Sequence, residues 1–179
     1  ISRIENIEQQ IDNSLKNLKI KQINICYIHK FSHIKNLSKG KRVLNKLYLL
    51  KNKKKIKQIG ISLYYVEDLI YCIKNYKFDV VQVPINIFNQ DFCDKNILDL
   101  INKKKIKIIA RSVFLQGLFF IDIKKLNQKF KPLEKKLELL RKKFLSNKEV
   151  LSYCLNFLKK KKFIHKIVIG VTSLKELKD

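Results

Sequence analysis

A series of polar residues along the chain, each closing an apolar stretch, has the makings of a ligand site: His29, Ser62, Gln82, Arg111 with Ser112, and Gly170 with Thr172. The fullest example lies within residues 106–120, where Ile106, Ile108, Ile109 and Ala110 run through Arg111 and Ser112 into a loop broken by Gln116 and Gly117. Such a β-branched run flanked by lysines reads as a buried strand. A strand that stops at two polar residues and a glycine-containing loop is a place to meet a ligand, because glycine lets backbone N–H groups come close to it. The same residues also fit a plain strand and its turn.

What must position these groups is an alternation of strands and helices. Ile4, Ile7, Ile11, Leu15 and Leu18 recur at helical spacing and predict an amphipathic helix over 2–18. Strands are expected at 23–28, 56–62, 79–84, 106–111 and 166–170. Between them lie helical patterns at 41–51 and at Val66, Leu69, Ile70 and Ile73, then at Ile97, Leu98 and Ile101. Two more helices follow, one after Pro132 and one over 150–158 with Ser146 or Asn147 as N-cap; a last helix starts at Leu174, capped by Thr172 or Ser173.

Strands never follow one another directly, so they must be parallel with right-handed crossovers, in a doubly wound sheet or a (β/α)₈ barrel. No Gly-x-Gly-x-x-Gly follows any strand, which counts against a Rossmann dinucleotide site. In a barrel the strand-end polar groups share one rim, the rim where barrel enzymes place their active sites, while the lysine clusters fall on the other. The expected fold is therefore α/β, an incomplete (β/α)8 TIM barrel of five parallel strands in a single domain over 1–179. A complete barrel takes roughly 250 residues. With 179 residues, no Met and an opening in mid-helix, the chain is expected to be the C-terminal portion of a longer protein.

The net charge of +25 invites a nucleic-acid reading. Against it, the cations are overwhelmingly lysine; arginine, the residue suited to reading phosphates and bases, occurs only at 3, 42, 111 and 141. Lys53–Lys55, Lys103–Lys105 and Lys159–Lys162 each sit between a helical pattern and the next strand, where the helix dipole favours cations. Cys26, Cys72, Cys93 and Cys154 are widely spaced with no Cys-x-x-Cys, which fits reduced structural thiols in a cytoplasmic protein rather than a metal site. No uncharged apolar run approaches ~18 residues, so no membrane span is expected.

In this order the strand ends resemble those of the aldo-keto reductases. Ile25-Cys26-Tyr27-Ile28-His29 is similar to the family's fourth barrel strand, which ends at the active-site histidine. Ile59-Gly60-Ile61-Ser62 and Val81-Gln82-Val83-Pro84 resemble the fifth and sixth, whose Ser and Gln hold the nicotinamide amide. Ala110 through Leu118 resembles the seventh strand and its loop, and Ile169-Gly170-Val171-Thr172-Ser173 with Glu176 the eighth and the helix start after it.

The resemblance implies hydride transfer between NADPH, or NADH in its place, and a small carbonyl substrate. It gives His29 the catalytic role and assigns cofactor contacts to Ser62, Gln82, Arg111, Ser112, Val113, Phe114, Gln116, Gly117, Leu118, Gly170, Thr172, Ser173 and Glu176. Lys175 is the nearest cation for a 2′-phosphate. A neutral imidazole on a rigid strand end can donate to an oxygen that gains charge as hydride arrives. The departures are Leu63 where the family has Asn, Arg111 where a Tyr stacks on the nicotinamide, and Val113 in place of the loop proline. The tetrad's Asp, Tyr and Lys belong to earlier strands that this chain lacks, so it is expected to be inactive alone. Two rival readings remain: a non-catalytic barrel pseudoenzyme or fragment, and behind it a basic nucleic-acid-binding protein.

Overall fold

The computed structural model describes residues 6–178, apart from the Lys175 side chain. Five strands alternate with helices: α1 (Ile7–Leu18), β1 (Ile23–Ile28), α2 (Leu37–Asn52), β2 (Ile56–Ser62), α3 (Val66–Asn75), β3 (Val80–Pro84), α4 (Lys95–Lys103) and β4 (Lys107–Arg111). Short 3₁₀ turns then lead into α5 (Glu134–Lys143), α6 (Asn147–Lys159), β5 (Ile164–Ile167) and α7 (Leu174–Lys178). The strands lie in sequential order, β1-β2-β3-β4-β5. A doubly wound sheet reverses its order at a switch point; this one does not, and it is the parallel arrangement of a (β/α)₈ barrel that has not closed. The helix expected over 2–18 is described from Ile7 onward, and Ile4 lies outside the described residues.

The chain divides into two compact units, Ile1–Val83 with Asp91–Ile109, and Pro84–Gln90 with Ala110–Asp179. In unit 1, Ile28, Ile59, Ile61, Val81 and Val83 are buried, as are Leu44, Leu47 and Leu50 of α2, Leu69 and Ile73 of α3, and Ile101 of α4. The helices take their apolar stripes from the i, i+3, i+4 spacing of these residues. Asp79 ties this core together at the start of β3. Its carboxylate accepts the Ile59 N–H at 2.8 Å and the Lys51 ammonium at 2.7 Å.

Helices end on lysine. Lys19, Lys54 and Lys105 take the left-handed conformation just past α1, α2 and α4 (φ 54°, 57° and 55°), a place where glycine is favoured. The lysine cluster after α2 is not merely solvated, however. Glu8 of α1 pairs with Lys46, Lys53 and Lys55 at 2.9–3.2 Å.

Unit 2 has its own core of Leu118, Phe119, Leu137, Leu140, Val150 and Cys154. α6 begins at a full capping box between Ser146 and Glu149. The last strand falls two residues earlier than the pattern 166–170 suggests. Val168 still donates its N–H to the Ala110 carbonyl, but Val168 and Ile169 are about half exposed, so apolar character there does not mark burial.

Candidate active site

Unit 1 sets three of the sequence-derived groups in a row by strand register alone. β1 and β2 pair in parallel through Tyr27 with Gly60 and Ile28 with Ile61, which sets His29 level with Ser62. Ser62 in turn pairs with Gln82 of β3. Partners in a parallel pair share a face, and alternation puts Tyr27 and Gly60 on that face as well. Gly60 has no room for a side chain: a Cβ there would come within 2.6 Å of the Tyr27 ring.

Burial is greatest at the middle strand of this row. Ser62 is buried, Gln82 half-buried and His29 exposed. Neither the Ser62 hydroxyl nor the Gln82 amide has a hydrogen-bond partner among the described residues, although their backbones are engaged in the sheet. Their polar atoms still reach solvent, so this neighbouring pair is an uncommitted set of donors and acceptors. Leu63 follows and is buried, its N–H donated to the Gln82 carbonyl.

Unit 2 presents a loop in place of a row. Arg111 closes β4 and donates to the Ser112 hydroxyl at 3.1 Å. Ser112, Leu115, Gln116 and Gly117 all have positive φ (54°, 49°, 58° and 85°). For the three non-glycine residues this costs roughly 1–2 kcal/mol each, the kind of backbone strain that gathers at ligand sites. Val113 and Leu118 are buried and Phe114 half-buried, so their side chains anchor the turn; Gln116 and Gly117 are exposed.

The terminal segment is exposed from Gly170 to Glu176 wherever its side chains are described. The Ser173 hydroxyl accepts the Glu176 N–H at 3.2 Å, which caps α7. The Glu176 carboxylate accepts the Thr172 N–H and hydroxyl, and those bonds hold its pKa below the usual carboxylate range. Groups of Thr172 suited to an anion are thus already held by one. The Lys175 side chain lies outside the described residues.

The sequence profile of the Aldo/keto reductase family matches residues 2–179. The chain belongs to that family. Among solved structures it is similar to the aldo-keto reductase AKR11C1 from Bacillus halodurans in its holo form, at 15% identity and TM-score 0.77, covering 98% of this chain and 59% of that one. It is also similar to the glycerol dehydrogenase AKR11B4 from Gluconobacter oxydans, at 20% identity and TM-score 0.67, covering 99% of this chain and 63% of that one. The thermostable aldo-keto reductase Tm1743 aligns over 98% of this chain and 59% of its own length, at 20% identity and TM-score 0.68. At such identities the likeness establishes the fold, and this chain spans about three fifths of each relative's length. No curated protein sequence matches it.

Within this aldo/keto reductase chain, two residues near the candidate site were not singled out by sequence. Asn86 is buried in unit 2, donates to the Ser112 carbonyl at 3.0 Å, and accepts the Phe88 and Asn89 N–H groups. In sequence Asn86 reads as part of a polar loop with Asn89 and Gln90, and only its burial reveals the tie to Ser112. Tyr27 shares the face of His29 by alternation, but its closeness to Gly60 has no sequence signal. Burial drives the Cys72 thiol up to about 12 and Cys154 to about 11, so neither is a ready nucleophile. Among the described residues no cluster of His, Cys, Asp and Glu could hold a metal ion, and no helix is long and apolar enough to cross a membrane.

Proposed function

We propose that this chain is the C-terminal portion of a cytoplasmic NAD(P)H-dependent reductase that converts an aldehyde or ketone to an alcohol. The observation that carries the reading is the uncommitted Ser62–Gln82 pair, level with His29 on one face of three parallel strands. A primary carboxamide needs both donors and acceptors, and a hydroxyl beside a side-chain amide offers both. The bound cofactor supplies the hydride. In unit 1, Ser62 and Gln82 hold and orient the nicotinamide amide, and the His29 imidazole donates a hydrogen bond to the substrate oxygen.

In unit 2 the Arg111 guanidinium stacks on a flat ring. The turn of Ser112, Val113, Phe114, Gln116, Gly117 and Leu118 offers backbone N–H groups to the pyrophosphate. Gly170, Thr172, Ser173 and Glu176 receive the adenosine end. Because Glu176 already occupies Thr172, a 2′-phosphate must displace a carboxylate, which favours the cofactor lacking that phosphate. The chain is expected to bind cofactor but not to turn over alone, since the tetrad's Asp, Tyr and Lys lie on strands outside it.

Quenching of NADH and NADPH fluorescence on titration with the chain tests this. Gln82→Leu should weaken both about tenfold, the loss of one or two hydrogen bonds. Glu176→Gln should improve NADPH relative to NADH. Absence of quenching by the wild-type chain would leave the pseudoenzyme reading in its place.

A further inference from the structure

Between β4 and β5 the chain builds a hollow that the candidate site does not use. It is an open depression of ≈700 Å³. Phe120, Ile121, Ile123 and Phe144, all half-buried, supply its apolar walls, with the exposed Leu145 at the rim. Into it faces Arg141 of α5, half-buried and held in place by two neutral acceptors: Nη1 donates to the Asn147 side-chain oxygen at 2.7 Å and Nη2 to the Ile121 carbonyl at 3.4 Å.

No carboxylate pairs with that guanidinium among the described residues. Glu138, one turn earlier on α5, lines the same hollow but is exposed and forms no ion pair. The Asp122 carboxylate accepts the Lys124 N–H and caps the turn there, and Lys124 and Glu138 both line the rim as exposed side chains. Of the charged side chains that line the hollow, Arg141 is the half-buried one, where pairing is worth most. Composition sharpens the point. Lysine is this chain's default cation, so Arg141 is one of few positions with a planar fork that matches a carboxylate by two parallel hydrogen bonds.

We propose that this hollow binds an apolar monocarboxylate, its carboxylate on Arg141 and its hydrocarbon against the aromatic and aliphatic walls. The site is independent of the reductase reading, as none of the residues assigned to the cofactor lines it.

The probe is 2-naphthoate, titrated into the full chain by calorimetry and by ¹⁵N spectra of the arginine Nε–H groups, with neutral 2-naphthalenemethanol as control. The expected result is one site, an Arg141 Nε–H resonance that shifts, and an alcohol that binds at least about tenfold more weakly, since a charge-assisted hydrogen bond is lost. Arg141→Met should remove that preference for the acid. Because that change also cuts the tie between α5 and Ile121, Leu145→Glu serves as a second variant. Leu145 is 97% exposed, so this change leaves the fold intact and weakens the acid severalfold by repulsion. Equal affinity for acid and alcohol, an unmoved Arg141 signal, indifference to both variants, or no binding at millimolar naphthoate would each overturn the proposal. NADH titrations run alongside report the cofactor reading separately.

Discussion

The two units carry their candidate site residues in opposite ways. In unit 1, His29, Ser62 and Gln82 follow from the register of three regular strands, and Ser62 and Gln82 leave their side chains uncommitted. In unit 2 the groups are mostly backbone, set by a turn with left-handed residues that anchors such as Asn86 and Val113 hold in place. Side chains at the end of a ladder can be changed without disturbing what positions them. A strained turn has no such separation: whatever anchors it also shapes what it presents. Damage to the unit 1 groups should therefore appear in binding, and damage in unit 2 in binding and stability together.

The sharpest way to break that contrast is Asn86→Ala. It leaves the Phe88 N–H and the Ser112 carbonyl short of a buried partner and is expected to cost about 3 kcal/mol of stability, read by urea unfolding. The Gln82→Leu change, by comparison, should leave the urea midpoint nearly unmoved. Equal losses from the two would mean the units do not differ as described.

Next in size is Gly60→Ala. Its Cβ would press on the Tyr27 ring, and overpacking of that kind costs about 1–3 kcal/mol. A smaller side chain at 27 should recover much of the loss, so the Gly60→Ala, Tyr27→Ala double variant is expected to be less destabilised than the sum of its parts. Additivity in the double-mutant cycle would show that the ring does not lie on Gly60.

The smallest effect belongs to Glu8, whose three lysine partners lower its pKa to about 2. A carboxylate with a depressed folded pKa stabilises above its unfolded value, near 4.5, and that contribution is lost as pH falls toward 2. Glu8→Gln should melt lower than wild type at pH 7, and the gap should close between about pH 4.5 and pH 2. A gap independent of pH would assign the difference to packing.

Much of unit 1 was legible because its strands are short segments rich in Ile and Val and its helices keep regular apolar spacing. The doubly wound alternative could not be removed from sequence, since periodicity does not report strand order. α2 begins at Leu37, earlier than its apolar pattern, because Asn36 caps it and Gly40 hides the period. That glycine lies against the Tyr76 hydroxyl, which donates to the Ile34 carbonyl at 2.8 Å. In unit 2 the reading was thinner. Gly117 announced a turn, but nothing in Leu115 or Gln116 signals positive φ, because that conformation is imposed by the anchors on either side. Of the two caps that the sequence offers, Ser173 is the one formed; the hold of Glu176 on Thr172 was not anticipated, because a carboxylate four residues on reads equally well as a solvated helix side chain.

The most direct measurement is the pair of Gln82 side-chain N–H₂ resonances and the Ser62 backbone amide in a ¹⁵N-labelled chain titrated with NADH. A nicotinamide amide seated on that pair predicts that all three move together and saturate, and that nicotinamide mononucleotide moves them too. Cofactor that quenches on binding yet leaves Gln82 and Ser62 unmoved would contradict the account.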